Sequence, residues 1–296
     1  MESIEAGRLD RGAGRSIPIG AELGRRYRVE RRIATGTWAH VYRAHDCVEG
    51  RTVALKVLRD DRSCDADVAG RFLEEGRLCA RLAHPNVARV LGRGWTPDER
   101  PFLVLAYIDG PSLEELMRKE VRLPWPRVVR LAAQTLGALA HIHDRGIIHR
   151  DITASNLIVE RIDAQTERAV LVDFGFAQPA ELFRAPAGVA MGPPTHMAPE
   201  LWLGRGGDER SDLYALGCVL YAALTGRLPF ATPEAGEPWV TQCMTSHLRE
   251  RVPPVDALCD AVPADLANLV MALLEKDRVR RPQSARSALR RLSWVV

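Results

Sequence analysis

The chain has 296 residues, of which 46% are hydrophobic and 27% are charged, and this is the composition of an ordinary globular protein. Its net charge of +3 is too small to indicate nucleic-acid binding, and no basic run alternates with aromatic residues. No apolar run approaches the roughly 20 residues of a membrane helix. The 6 cysteines are scattered without the spacing of a zinc or disulfide framework. These features predict a cytoplasmic protein with no membrane span and no nucleic-acid partner, and they leave its oligomeric state open.

The first third of the chain predicts a small sheet. Residues 1–26 are rich in Gly and Arg and lack apolar periodicity, which predicts a flexible N-terminal tail. Short segments rich in Val, Ile and Tyr then alternate with turn residues. The predicted strands cover 27–33, 39–44, 52–58, 87–92 and 101–107. Helical spacing over 66–82 adds one helix, which ends before His84-Pro85-Asn86.

Beyond Gly110 the apolar pattern becomes helical. A broad apolar stripe over 126–143 predicts an amphipathic helix, whereas 212–225 is apolar on nearly all sides and predicts a buried one. Two further helices are predicted over 263–276 and 283–294, each with a proline at or near its start.

Two polar clusters carry the chemistry of the chain. Residues 149–156 read His-Arg-Asp-Ile-Thr-Ala-Ser-Asn, and Asp173-Phe174-Gly175 follows. The Asp151 carboxylate can receive a proton from a hydroxyl group, while the Asn156 amide oxygen and the Asp173 carboxylate suit Mg²⁺. An isolated Asp in a loop is usually a turn former or a helix cap. Together, however, the two clusters supply a possible base and two oxygen ligands, as phosphoryl transfer from a magnesium nucleotide requires.

With these two clusters the chain resembles the protein kinases, specifically the eukaryotic-type Ser/Thr kinases of bacteria. The resemblance covers about residues 27–293 and implies a two-lobed α+β fold. A five-stranded sheet lobe with one helix (27–106) would precede a larger, mostly helical lobe (107–296). The implied function is transfer of the γ-phosphate of ATP to a Ser or Thr hydroxyl of a protein substrate, with ATP and Mg²⁺ in the cleft.

The resemblance also assigns the site residues. Asp151 would be the catalytic base, Asn156 and Asp173 the metal ligands, and Lys56 the cation for the α and β phosphates, paired with Glu75. A lone lysine on a strand is normally a solvated charge, and Glu74 is the alternative to Glu75. The implied nucleotide-binding residues are Ile33, Ala34, Gly36, Val41, Ala54, Lys56, Glu75, Ala106, Ile108, Ile158 and Asp173. Packing in the core is the alternative for the apolar members of this set.

Further residues match supporting positions of the family. Glu200, in Ala-Pro-Glu, would pair with Arg281, and Asp212 would hold the backbone of the catalytic loop. As an alternative, Asp212 could cap a helix. His149 would be structural, and Arg150 would pair with a phosphate on the activation loop.

The chain departs from the family pattern in four places. Ala34 and Ala39 replace two glycines of the Gly-rich loop, and Thr153 replaces the lysine that contacts the transferred phosphate. Pro193 replaces the threonine that meets this lysine. Between Phe174 and Glu200 the only hydroxyl-bearing residue is Thr195. A kinase that needs no activation-loop phosphorylation is therefore expected.

Two other functions compete with this interpretation. A pseudokinase that binds nucleotide and acts as a scaffold or allosteric partner is favoured by the altered Gly-rich loop and by Thr153. A small-molecule phosphotransferase of related fold is disfavoured by Glu200 and Arg281, because this pair builds a docking platform for peptides.

Overall fold

The computed structural model describes residues 16–63, 66–173, 178–179, 192–231 and 239–295. They form two compact units. The first contains the described residues up to Ala80 together with Arg89–Tyr107, and the second contains Arg81–Ala88 and the described residues from Ile108 onward. One unit is built on a sheet and the other is mostly helical, which confirms the predicted α+β class.

The sheet of the first unit has six antiparallel strands in the order β1-β2-β3-β4-β6-β5. The strands are β1 (Glu22–Leu23), β2 (Tyr27–Thr35), β3 (Ala39–Asp46), β4 (Arg51–Leu58), β5 (Val90–Trp95) and β6 (Pro101–Ala106). Two helices follow β4, namely α1 (Asp60–Ser63) and α2 (Ala66–Cys79). The sheet has one strand more than the five predicted, namely the short β1. The strand predicted over 87–92 begins three residues later than expected, at Val90.

The N-terminal segment corrects the prediction of a flexible tail over 1–26. Ile17 is buried in the sheet core, and its backbone N–H donates to the Tyr42 hydroxyl oxygen at 2.8 Å. The Gly20 N–H donates to the Val29 carbonyl at 2.8 Å, which continues the pairing next to β1. Residues 16–26 therefore belong to the folded unit. Residues 1–15 lie outside the described part of the chain.

The two faces of this sheet differ, because side chains alternate along each strand. Tyr42, Leu55 and Val104 point to a face that is fully buried beneath the N-terminal segment. On the opposite face Val41 lies across from Lys56, and Arg43 lies across from Ala54. This second face carries several of the predicted nucleotide-binding residues.

The second unit is built around two long helices, of which one is almost wholly buried, as its continuous apolar pattern predicts. Its helices are α3 (Leu113–Glu120), α4 (Trp125–His143), α5 (Pro199–Trp202), α6 (Glu209–Thr225), α7 (Trp239–Arg249), α8 (Ala264–Leu273) and α9 (Ala285–Leu292). Its short strands are β7 (Ile147–Ile148), β8 (Leu157–Arg161), β9 (Glu167–Leu171) and β10 (Gln178–Pro179). Among the helices of the described ranges, none has the length and apolar character needed to cross a bilayer.

Residues 81–88 pack with the second unit, which corrects the expectation that 27–106 forms one lobe. The Asn86 side-chain amide donates to Gln134 Oε1 at 3.0 Å and to the Ala169 carbonyl at 2.7 Å. The Leu171 N–H also donates to the Asn86 carbonyl at 2.9 Å. These bonds join the segment after α2 to α4 and β9.

Candidate active site

The loop between β7 and β8 carries the first polar cluster. Ile152 is fully buried and Ala154 is nearly so, and they anchor the loop in the second unit. Asp151 and Thr153 are half-buried, and Ser155 is exposed. A single 3₁₀ turn, Ala154–Asn156, connects the loop to β8. Alternation of buried and accessible positions thus presents the polar side chains on one side of the loop.

Asn156 binds Asp151 directly. Its side-chain Nδ2 donates to the Asp151 carbonyl at 2.9 Å and to Asp151 Oδ2 at 3.0 Å. These bonds orient the carboxylate and also fix the amide plane. Because Nδ2 faces Asp151, the amide oxygen Oδ1 points in a different direction within the amide plane, where it can act as an oxygen ligand.

The loop backbone is held by Asp212 of α6, as predicted. Asp212 Oδ1 accepts from the Arg150 N–H at 2.8 Å, and Oδ2 accepts from the His149 N–H at 2.9 Å. His143 Nε2 lies 2.8 Å from the same Oδ2. Asp212 is fully buried, and hydrogen bonding and the charges around it hold the carboxyl pKa below its usual range, although burial acts in the opposite direction. The carboxylate therefore stays ionised under the loop.

Arg150 sits in a strained and enclosed position. Its φ is 67°, which is uncommon for a bulky L-residue, and burial lowers the pKa of its guanidinium to about 10. Gly192 packs closely against Arg150, because a Cβ at position 192 would lie only 2.9 Å from the Arg150 carbonyl oxygen. Gly192 also has a φ of 117°, which favours glycine. Pro193 and His196 line the same small cavity as Arg150. The segment before Ala-Pro-Glu thus lies against the catalytic loop.

The two predicted metal ligands are brought together by the backbone. The Val172 N–H donates to the Asn156 carbonyl at 2.9 Å, and Asp173 is the next residue. Asp173 adopts φ 58°, a left-handed conformation that Asp tolerates better than most residues. Residues that carry an amide oxygen and a carboxylate are therefore backbone neighbours just before β8 and just after β9, and these two donor types fit Mg²⁺.

Lys56 lies in the middle of β4 in the first unit. It is 4% exposed, and its Nζ lies 5.6 Å from the centroid of the Phe72 ring on α2. This rules out the alternative of a solvated edge charge. Glu75 is three residues after Phe72 on α2, but its side chain lies outside the described part of the structure, so its predicted contact with Lys56 stays a prediction.

The other predicted nucleotide-binding residues divide between the two units. Ile33, Ala34 and Gly36 are exposed at the end of β2 and in the following turn, where Gly36 N–H donates to the Ala39 carbonyl at 2.9 Å. Neither Ala34 nor Ala39 has a positive φ, so the turn forms without left-handed strain at either alanine.

On the half-buried face of the first unit, Val41 and Ala54 flank Lys56, and Ala106 ends β6. Ile108 and Ile158 belong to the second unit, where Ile158 forms a backbone bridge with Ser112. Lys56 and Ala54 are buried, whereas Val41, Ala106, Ile108 and Ile158 retain partial exposure, unlike the members of the sheet core.

Glu200 and Arg281 form the predicted ion pair. Arg281 Nη1 and Nη2 donate to the two Glu200 carboxylate oxygens, each at 2.7 Å, and both side chains are buried. The Ser211 hydroxyl also donates to Glu200 Oε1 at 2.7 Å. This pair fixes α5 to the segment before α9.

Part of the predicted site lies beyond the described residues. This applies to Phe174 and Gly175 and to the segment 180–191. Thr195 is described, and its Oγ1 lies 2.9 Å from His196 Nδ1.

The geometry agrees with comparisons to known proteins. The chain matches the protein kinase domain over residues 27–294. It belongs to the protein kinase family. Among its relatives are the serine/threonine-protein kinase pkn2 of Myxococcus xanthus, 36% identical over 274 residues, and PknJ of Mycobacterium tuberculosis, 34% identical over 260 residues. The DNA damage-responsive serine/threonine-protein kinase RqkA of Deinococcus radiodurans is 38% identical over 286 residues.

These alignments cover 90%, 88% and 94% of this chain for pkn2, PknJ and RqkA, but only 32%, 43% and 40% of the relatives. The chain therefore spans less than half the length of these three kinases.

Two residues that contact members of this site were not identified from the sequence. His143 was assigned only to an apolar stripe of α4, although a histidine on such a stripe needs a polar partner, which is Asp212. Ser155 was passed over, and its Oγ lies 2.9 Å from Thr153 Oγ1.

Proposed function

We propose that this protein kinase domain transfers the γ-phosphate of ATP to the hydroxyl group of a Ser or Thr residue in a protein. The observation that carries the proposal is the double hydrogen bond from Asn156 to the carbonyl and carboxylate of Asp151. It orients a carboxylate that can receive a proton and, at the same time, turns an amide oxygen outward for a metal. A residue that only capped a turn would need no such arrangement.

Asp151 acts on the acceptor. The acceptor oxygen forms a bond to the γ-phosphorus of ATP, and the bond from this phosphorus to the β–γ bridging oxygen breaks, releasing ADP. The proton of the acceptor hydroxyl passes to an Asp151 carboxylate oxygen. The Asp151 carboxylate requires a fixed position for this role. Asn156 holds the carboxylate by a hydrogen bond, and Asp212 holds the loop by accepting from the backbone N–H groups of residues 149 and 150.

Asn156 and Asp173 would hold Mg²⁺, and their oxygen donors support this assignment. When bound, the ion would neutralise charge at the phosphate oxygens. Lys56 contributes a second positive charge, and its burial beside Phe72 restricts where the ammonium can point. Val41, Ala54 and Ile158 would contact the adenine, and the backbone of 106–108 would bind its edge.

Metal-dependent nucleotide binding tests this assignment. ATP with Mg²⁺ should raise the melting temperature by mass action, and Asp173→Ala should remove the Mg²⁺-dependent part of the increase. The matched control is Asp256→Ala, because Asp256 is an exposed carboxylate outside the site. An equal increase in the wild type with and without metal contradicts the assignment.

Catalysis is tested separately from binding. The wild type should incorporate labelled phosphate from ATP with Mg²⁺, and Asp151→Asn should lose this activity while keeping the thermal shift with ATP. The pseudokinase alternative predicts the thermal shift without incorporation in either form. Thr153 favours that alternative because it supplies no charge for the transferred phosphate, but it leaves Asp151, Asn156, Asp173 and Lys56 intact.

We also propose that this kinase needs no phosphorylation of its activation loop. Residues 177–194 contain no Ser, Thr or Tyr, so no phosphate can form there to bind Arg150. Phosphatase-treated protein should therefore keep its rate on an added substrate. A loss greater than about tenfold that is reversed by preincubation with ATP contradicts this proposal.

A further inference from the structure

The catalytic loop carries two hydroxyl groups that the proposed reaction does not yet use. Thr153 Oγ1 and Ser155 Oγ lie 2.9 Å apart, on a stretch between Asp151 and Asn156 that contains no charged side chain. We propose that Thr153 and Ser155 form a hydroxyl pair that positions the acceptor residue of the protein substrate. This inference rests on the proposed kinase activity and adds two positioning residues to it.

The loop conformation directs this pair toward the acceptor. Thr153 is extended, with φ −139° and ψ 163°, so neighbouring side chains point to opposite sides. Ile152 and Ala154 are buried on one side. Thr153 is therefore on the same side as Asp151, the carboxylate that receives the acceptor proton.

Counting hydrogens shows what the pair can offer. Two hydroxyl groups carry two protons, and the bond between them uses one. Within the described ranges, neither hydroxyl has a side-chain partner other than its mate. One O–H therefore remains to donate to a bound molecule, and the mutual bond restricts the directions in which it can point. The acceptor oxygen can accept this bond with one lone pair and attack phosphorus with the other.

The short reach of the Thr153 side chain indicates that the pair contacts the acceptor rather than the nucleotide. A lysine carries its charge at the end of a four-carbon stem. The Thr153 hydroxyl is attached to Cβ and serves only groups that bind directly against the loop. The pair is also neutral, which suits a Ser or Thr hydroxyl better than a phosphate. Its loss should therefore affect the use of the acceptor and leave ATP binding unchanged.

The test measures kinetics with a degenerate peptide mixture centred on Ser or Thr. Thr153→Val and Ser155→Ala should each lower kcat/KM for the peptides by about 3- to 10-fold, the loss expected for one neutral hydrogen bond. The double variant should be no worse than the poorer single variant, because both singles remove the same oriented donor. Thr153→Ser should keep the wild-type value, and KM for ATP should stay constant in all forms.

Thr245→Val is the matched control, because Thr245 is an exposed threonine on α7 away from the loop, and it should change neither constant. Melting temperatures separate acceptor positioning from a general loss of stability. A raised KM for ATP, additive effects of the two single variants, or unchanged peptide kinetics overturns the inference. A wild type that incorporates no more phosphate into peptides or into itself than Asp151→Asn does refutes the proposed function instead.

Discussion

Replacing Asp212 by Asn tests how the loop is held. The carboxylate accepts three hydrogen bonds, from the His143 ring and from the backbone N–H groups of residues 149 and 150. An amide of the same shape has one oxygen, and its NH₂ group must face one of the two backbone donors. Whichever way the amide is oriented, one buried N–H loses its acceptor. The loss of a hydrogen bond to a charged group costs about 1.5–3 kcal/mol.

The unsatisfied N–H should also displace the loop. Because Asp151 follows directly after the two anchored residues, a shift of about 1 Å at the carboxylate should lower the rate by about 100-fold. Urea denaturation of Asp212→Asn gives the change in the free energy of unfolding, and incorporation of labelled phosphate gives the rate. Asp208→Asn is the control, because Asp208 caps the same helix α6 but is only half-buried and contacts no loop residue among the described ones.

The two variants should differ in both measurements. Asp208→Asn removes part of a helix cap and should cost no more than about 1 kcal/mol, with the rate preserved. The reasoning is refuted if Asp212→Asn unfolds within about 0.5 kcal/mol of the wild type and keeps its rate. A loss of stability with an unchanged rate would mean that the loop position does not depend on this carboxylate.

Three further predictions concern other residues of the chain. Thr153 and Pro193 stand where the family has a Lys–Thr pair, and we expect the two changes to be coupled. In a double-mutant cycle of Thr153→Lys and Pro193→Thr, the activation free energies calculated from kcat/KM should give a coupling energy of about 0.5–3 kcal/mol in favour of the double variant. Additive effects of the two single variants contradict this. Burial lowers the pKa of His247 from its usual value of 6.5 to about 3. Between these two pH values His247 is protonated in the unfolded chain but neutral in the native state, which favours unfolding. Stability should thus be full above pH 6.5 and about 2 kcal/mol lower at pH 5, and His247→Gln should flatten this decline in urea titrations. Arg281→Met should cost about 3–5 kcal/mol by leaving Glu200 charged and buried, and Glu200→Leu in the same protein should recover much of it; no recovery argues against that cause.

Much of the fold was predictable because its apolar patterns are local. The buried helix α6 and the strands β3 and β4 were found close to their observed bounds, since burial on all sides or on alternate positions leaves a periodic signal. Helix α3 was missed although Ser112 and Glu115 form a capping box in front of it. Ile17 could not be placed from the sequence, because its partner Tyr42 is 25 residues away and the surrounding segment has no period.

The candidate site shows the same division. Asp151, Asn156 and Asp173 were found because they lie at fixed spacings in two short motifs. The role of His143 depended on a contact with a residue 69 positions away, so its own sequence context gave only the helical stripe. Spacing identifies residues of one loop, but it does not show which helix supports them.

Backbone strain helps to explain which parts of this site are fixed and which differ from the family. Arg150 and Asp173 both have positive φ, and an L-residue in that region costs about 1–2 kcal/mol. Such conformations persist where surrounding contacts determine them, and here Asp212 binds the Arg150 N–H while Asn156 accepts from the residue before Asp173. None of these contacts uses the side chain at 153. Substitution of Lys by Thr at 153 therefore leaves the strained frame in place, and the change should alter how the acceptor is held rather than whether the site forms.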